Sequence, residues 1–356
     1  MPTCTSFSAI METSTTEHNQ TVTSSMTTHE SDSNTIKKQY VGALIIACLL
    51  VVMGIYLVVC LLFYEYRVGM KNRQNGQLNR QRINLIHDRV ADWMRWLCLI
   101  ASILALVRFG LELVEIELGQ SSSTICDPIR KSKGVLQCAV ITCLYLVLWL
   151  RQRKFYRTPA MLHLSNKIIR FFSRSVVIIM AIASVLTISL YVGSRRYQSS
   201  GRGCIVQWSS IRTKVRELPG LLQFIFTALF QVILLGLFIY PLQKHRMAMK
   251  SVVSSGPNKE IEVIKRVTIA TVVAMVTDGV TGFIALFAFA NSLNVLDHLV
   301  YDVDMLVNLL AVICSFADWQ TRIAPFLVMQ DKIVGTVKRK SNDNRSTGVT
   351  SVSNDV

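Results

Sequence analysis

Residues Tyr40–Phe63 read YVGALIIACLLVVMGIYLVVCLLF, a run of 24 residues without a single charge. The hydrocarbon core of a bilayer is about 30 Å thick and an α-helix rises about 1.5 Å per residue, so about 20 apolar residues cross it. Inside hydrocarbon the backbone has only itself to bond to, which makes a crossing run of this kind a helix. This stretch therefore predicts a transmembrane helix and sets the class of the whole chain. The composition agrees: 51% of the 356 residues are hydrophobic, the mean hydropathy is +0.40, and only 17% are charged. A soluble domain carries roughly 25% charged residues.

Outward from that run, six more segments read as spans, at about 93–113, 128–150, 175–194, 218–240, 267–290 and 299–318. The third is uncharged from Gly134 to Leu150 and is extended back to Pro128. Three of the six carry charge within their apolar runs: Arg95, Arg108 and Glu112 in the second, Asp278 in the sixth, Asp302 and Asp304 in the seventh. A charge at mid-bilayer costs about 3 kcal/mol or more, so these positions are also where function is expected. The predicted fold is an all-α, seven-transmembrane helix bundle over residues 37–324. Residues 1–36, rich in Ser and Thr, are expected to be disordered. So are residues 339–356.

The net charge of +16 is a topology signal, with no nucleic-acid partner implied. Numbering the loops alternately from an external amino terminus places 26 Lys or Arg on the inner side and 11 on the outer. Positive residues stay inside, so the amino terminus is expected to be extracellular, at the plasma membrane. The inner charge also suits anionic lipid. Met1–Ile36 has no apolar core, so no cleavable signal peptide is expected there. Asn19-Gln20-Thr21 is a glycosylation sequon on the outer side. The sequon at Asn344 lies on the inner side and is discounted.

Six of the nine cysteines fall within predicted helices, where they read as small apolar packing residues. Cys4, Cys126 and Cys204 lie on the outer side. Cys126, at the head of helix three, and Cys204, in the loop after helix four, both face an oxidising compartment. There they are expected to pair, with two free thiols as the alternative.

Seven helices, an external amino terminus and a cysteine at the head of helix three opposite one in the second outer loop resemble a G-protein-coupled receptor. The spacing is most similar to the rhodopsin-like class, in which an arginine follows that cysteine by 25 residues. Here Cys126 is followed by Arg151, within Leu148-Trp149-Leu150-Arg151-Gln152. Where the class ends helix seven in Asn-Pro-x-x-Tyr, this chain has Ser315-Phe316-Ala317-Asp318-Trp319, with Phe326 beyond it. Residues 325–338 then fit an amphipathic membrane-surface helix, because Phe326, Met329, Ile333 and Val337 share a face that excludes Lys332 and Lys338. The chain departs from the class at Leu150, where an acid is usual, at Gln152, where an aromatic is usual, and in helix six, which has no Trp-x-Pro.

The resemblance implies a receptor that takes an extracellular ligand and engages a heterotrimeric G protein through its inner loops. It implies no ligand subfamily. Arg151 is the coupling residue, held at rest by Glu260 or Glu262. The tail serines and threonines, Ser341 to Ser353, suit phosphorylation and arrestin contact.

The charged helices supply the other candidates. Arg108 and Glu112 stand four apart on helix two, and Arg108 is expected to pair with Asp304 or Glu112. With Asn308 these form candidate ligand-pocket residues. The alternative is an internal structural salt bridge. Asp278 and Asn308 lie at similar depth, so Asp278 reads either as an activation switch, together with Gly282, Ser315 and Trp319, or as a core residue holding helices six and seven together. No catalytic chemistry is expected. His87, His163, His245 and His298 are scattered, no metal or phosphate motif is present, and no cofactor is implied. A transporter or channel is the competing function, with Asp278, Asp304 and Arg108 in a polar path. The basic second outer loop favours an anionic ligand, whereas the acids at the heads of helices two and seven favour a cationic one.

Overall fold

A computed structural model describes residues 26–75, 85–118, 123–156, 167–194, 196–200, 203–207, 225–233, 236, 239, 259–287 and 294–325. By contact the chain divides into residues 1–42 and residues 43–356. Among the described residues the first unit contributes only the opening turns of α1, and every element after α1 belongs to the second.

The described residues are almost entirely helical. In chain order they form α1 (Met26–Asn75), α2 (Leu85–Leu118), α3 (Ser123–Tyr156), α4 (Lys167–Ser194), β1 (Arg196–Ser200) and β2 (Gly203–Gln207). A helical segment at 225–233, here α5, comes next. Then come α6 (Lys259–Phe287), α7 (Asn294–Cys314) and the short α8 (Trp319–Ile323). Four of these hold stretches long and apolar enough to cross a membrane: Tyr40–Met70, Arg89–Leu118, Ile125–Lys154 and Phe171–Gly193. α6 carries a shorter apolar stretch, Thr268–Ile284.

The decisive run folds as its pattern dictates. Ala43, Ala47, Leu50, Leu57, Cys60 and Leu61 are buried along one face of α1. Apart from Cys60, which adjoins Leu61, their spacing alternates between four and three residues, with Gly54 filling the remaining step, which is the helical stripe. A side chain at Gly54 would meet Leu106 and Phe109 of α2 at 3.1 and 3.2 Å, so the glycine admits the neighbouring helix. Ile45, Leu49, Val52, Val59 and Leu62 point outward and are exposed. Large apolar side chains also face outward on α2, α4 and α6, among them Ile178, Ile182, Val185 and Phe283. Such faces are normal only where lipid covers them. This is a multi-pass membrane architecture.

α3 is the central element and packs against α2, α4, α7 and β1. Its contact with α4 and α5 forms an apolar core of Tyr145, Val176, Met180, Ala183 and Phe230.

The elements outrun the spans expected from hydropathy. α1 has 50 residues and is about 75 Å long, more than twice the hydrocarbon thickness. Its first turns, from Met26, fall within the 1–36 segment expected to be disordered. α2 starts at Leu85 where 93 was expected, α3 at Ser123 where 128 was expected, and α4 at Lys167 where 175 was expected. Hydropathy marks only the part of a helix suited to lipid, and polar turns continue the same hydrogen-bond ladder on either side. α7 ends at Cys314, four residues short of the expected 318, and the chain turns there into α8. The amphipathic segment expected at 325–338 lies beyond the described residues, save Pro325. So does the 339–356 tail.

One element was not anticipated by an all-α reading. β1 and β2 pair antiparallel, with Tyr197 opposite Val206 and Ser199 opposite Cys204.

Candidate functional site

Three helices bring their polar stripes together beside this hairpin. Arg108, Glu112 and Glu115 recur on α2 at steps of four and three, so they share a face. Arg130, Lys133 and Gln137 do the same on α3 at steps of three and four. On α7, His298 and Asp302 stand one turn apart. Arg108 Nε lies 2.5 Å from Asp302 Oδ1. The same guanidinium donates through Nη1 to Gln137 Oε1 at 2.7 Å and to the Lys133 carbonyl at 3.3 Å. Lys133 Nζ lies 2.7 Å from Glu115 Oε2 and also contacts Glu112. Arg130 pairs with Glu115 through Nε, touches His298 Nε2 through Nη1, and donates through Nη2 to the Cys204 carbonyl at 3.1 Å.

All six charged groups are buried, from Asp302 at 0% exposure to Glu115 at 7%. An unpaired ion in such surroundings is prohibitive. Here the formal charges of Arg108, Arg130 and Lys133 balance those of Glu112, Glu115 and Asp302. The cluster is internally neutral.

The hairpin closes over it. A disulfide joins Cys126, in the first turn of α3, to Cys204 on β2. This is the pair singled out by the sequence. Tyr197 donates its backbone N–H to Asp127 Oδ1 at 3.1 Å, and its ring lies 5.8 Å from the Arg130 guanidinium carbon. Cys126, Tyr197 and Cys204 are buried as one small core.

The pairing expected for Arg108 is corrected by this geometry. Its acid is Asp302, and neither Asp304 nor Glu112 takes that place; Glu112 is held by Lys133. A helix turns about 100° per residue, so Asp302 and Asp304 point about 200° apart. Asp302 faces α2 and α3, while Asp304 faces α6.

Asp304 belongs to a second cluster. Asn308 Nδ2 on α7 donates to Asp278 Oδ1 on α6 at 2.5 Å and reaches Asp304 Oδ2 at 3.4 Å. The four ligand-pocket candidates are thus divided, with Arg108 and Glu112 in one cluster and Asp304 and Asn308 in the other. α6 is continuous helix from Lys259 to Phe287, through Asp278 and Gly282.

At the opposite end of α3, Arg151 donates to both the hydroxyl and the backbone carbonyl of Ser315, and its guanidinium lies 5.4 Å from the Phe316 ring centroid. Glu262 lies on α6, and its side chain falls outside the described residues. Trp319 opens α8. Arg322 of α8 binds Asp318 Oδ1 at 3.0 Å and stacks on Phe316 at 3.9 Å and Tyr64 at 4.6 Å. The Tyr64 hydroxyl donates to Asp318, and that of Tyr56 to the Ile323 carbonyl at 2.7 Å. α1, α3, α7 and α8 are knotted together here. Asn19 lies outside the described residues. Among the described residues no group of three His, Cys, Asp or Glu side chains is placed to hold a metal.

Glu115, Arg130, Lys133, Gln137 and Asp302 were not singled out as site residues by sequence. Their signal was the matched helical spacing on two successive helices, which a count of loop charges hides.

No protein-family model matches the chain, and no curated protein matches it.

Proposed function

We propose that the chain is a divergent G-protein-coupled receptor of the plasma membrane, crossing the bilayer seven times with its amino terminus outside. The observation that carries this reading is the disulfide from the head of α3 to the hairpin that follows α4, 25 residues ahead of an arginine seated on the end of α7. The ligand enters at the hairpin end. Because the cluster of Arg108, Arg130, Lys133, Glu112, Glu115 and Asp302 is neutral and closed, its role is to hold α2, α3 and α7 in register, and the ligand contacts surfaces around it. Displacement of α7 then pulls Ser315 from Arg151 and opens the inner face to a heterotrimeric G protein. Asp278 and Asn308 couple α6 to the same movement. The tail is the arrestin-facing element, and Asn19 carries glycan.

A G-protein activation screen on cell membranes tests the reading, comparing the wild type with Arg151→Ala and Cys126→Ala. Activation by the wild type that both variants lose is the expected result. An amino-terminal epitope accessible only after permeabilisation overturns it.

One observation favours a second reading. Two carboxyl groups and an amide meet between α6 and α7, as in the polar path of a transporter or channel. Arg108 is not part of that path, being held by Asp302. Ion flux into vesicles that is lost in Asp278→Asn supports this alternative over the receptor.

A further inference from the structure

Arg130 of α3 spends its guanidinium on three partners, and one of them is a histidine. Nε meets Glu115 of α2, Nη2 donates to the Cys204 carbonyl of β2 at 3.1 Å, and Nη1 meets Nε2 of the half-buried His298 on α7. A guanidinium only donates and keeps its charge at every physiological pH. His298 therefore accepts through Nε2, and the one proton of its neutral ring sits on Nδ1. The contact exists only while the imidazole is uncharged.

The surroundings are already matched charge for charge. Glu115, which shares Arg130 with the histidine, gives its other oxygen to Lys133 of α3 at 2.7 Å. Glu112 of α2 is also held by Lys133, and Asp302, one turn further along α7, is held by Arg108. The hairpin brings the Cys204 carbonyl and the Tyr197 ring, both turned to Arg130. α6 packs against α7 too, but its Asp278 meets Asn308, ten residues and about 15 Å along the helix from His298. α8 packs at the far end of α7. A proton on His298 thus adds a fourth cation to three balanced pairs, and places it against a guanidinium.

We propose that His298 is a proton-binding site at the hairpin end of the bundle, and that its protonation unseats the first turns of α7 from α3. Arg130 stays in place, because Glu115 and the Cys204 carbonyl hold it and the disulfide to Cys126 fixes β2 to its own helix. α7 stays pinned at Asp302 by Arg108. The part that moves is the stretch before that pin, from Asn294. Imidazole is the side chain that ordinarily changes charge between about pH 5 and 8. The seated form excludes the proton and the unseated form admits it. Seating is therefore complete at the alkaline end of that range and is lost as the pH falls. The device rests on the contact alone and operates whether or not the chain signals.

The test uses the full chain in lipid nanodiscs and reads hydrogen–deuterium exchange by mass spectrometry between about pH 7.5 and 5.5, inside the range in which imidazole titrates. Backbone exchange over residues 294–300, corrected for its intrinsic pH dependence, is expected to rise about ten-fold, within the about hundred-fold that one proton permits over two pH units. His298→Gln keeps an acceptor for Arg130 and does not titrate, so exchange is expected to stay low at both ends. His298→Lys sets a cation there throughout, and exchange is expected to be high at both. Exchange at the imidazole C2 position follows the protonation of His298 in the wild type. His298 is expected to gain its proton at lower pH there than in the denatured chain. A rise in backbone exchange that persists in His298→Gln overturns the proposal. So does backbone exchange that stays flat while His298 titrates, or a His298 that gains its proton at higher pH than in the denatured chain.

Discussion

Arg108 of α2 and Asp302 of α7 meet at 2.5 Å with 1% and 0% of their side chains exposed, 194 residues apart in the chain. The attraction between them is offset by the cost of taking both from water. The contact therefore specifies which faces of α2 and α7 meet more than it stabilises the bundle. Removing one partner is another matter, because the other charge then stays buried without compensation. Arg108→Ala or Asp302→Ala alone is expected to cost about 3–5 kcal/mol. Arg108→Met with Asp302→Leu is expected to recover most of that loss. Thermal melting of the four proteins in one detergent gives the double-mutant cycle. A double variant no more stable than the singles would show that the pair does not act as a unit.

The disulfide holds the hairpin over the same cluster. Cys126 and Cys204 are 78 residues apart, a separation at which a cross-link in a soluble protein contributes about 4–5 kcal/mol. Helices that stay inserted in a bilayer already restrict the unfolded chain, so a smaller contribution is expected here, about 2 kcal/mol. Its loss also frees the Cys204 carbonyl from Arg130, whose guanidinium it helps to satisfy. Cys126→Ser is therefore expected to lower the melting temperature, and Arg130→Gln in that background to lower it by less than it does alone. Independent, additive shifts would mean that the disulfide does not position the carbonyl.

Legibility in the sequence followed the physics of single helices. The first span was readable because Tyr40–Phe63 is long and uncharged. Its buried face of Ala43, Ala47, Leu50, Leu57 and Leu61 was not, since Ile45, Leu49, Val52 and Val59 on the exposed face are equally apolar. The cysteine pair was readable because compartment and chemistry decide it. The partner of Arg108 was not, since choosing Asp302 over Asp304 requires the rotation of α7 about its own axis, which only its neighbours set. Arg130 and Lys133 entered only the count of outer basic residues, because the positive-inside rule weighs charge by side and not by which helix faces share it. The two short strands were hidden in a basic loop of mixed polarity. Arg151 was found as a position, but its partner Ser315 was not, because nothing in the order of residues tells which helix end reaches which arginine.

Asn308 sits between two carboxyl groups as their shared donor, at 2.5 Å from Asp278 and 3.4 Å from Asp304. Asn308→Leu removes that donor and leaves two acids facing an apolar side chain. A loss of about 1–3 kcal/mol is expected, read as a lower melting temperature and lower yield at the membrane. Asp278→Asn keeps a polar partner and is expected to preserve yield while changing basal G-protein activation. Unchanged yield together with unchanged signalling would remove Asp278 from any switch.

Arg151 grips the end of α7 by two bonds to one residue, the Ser315 hydroxyl and the Ser315 carbonyl. Ser315→Ala deletes the first and leaves the second, so the grip weakens without being lost. One hydrogen bond contributes about 0.5–1.5 kcal/mol net, which shifts a two-state equilibrium by about two- to ten-fold. If release of α7 from Arg151 is the activating step, Ser315→Ala raises ligand-independent activity by that factor. Arg151→Lys goes further. An ammonium cannot present two donors in a fixed fork, nor stack on Phe316 as a planar guanidinium does. Lysine still satisfies a positive-inside requirement, so insertion and yield are expected to hold while basal activity rises. Nucleotide exchange by a purified G protein on membranes with equal content of each variant measures both. A basal rate that stays flat in Ser315→Ala and Arg151→Lys would make the contact a structural tie between α3 and α7, and coupling would then have to be sought elsewhere on the inner face.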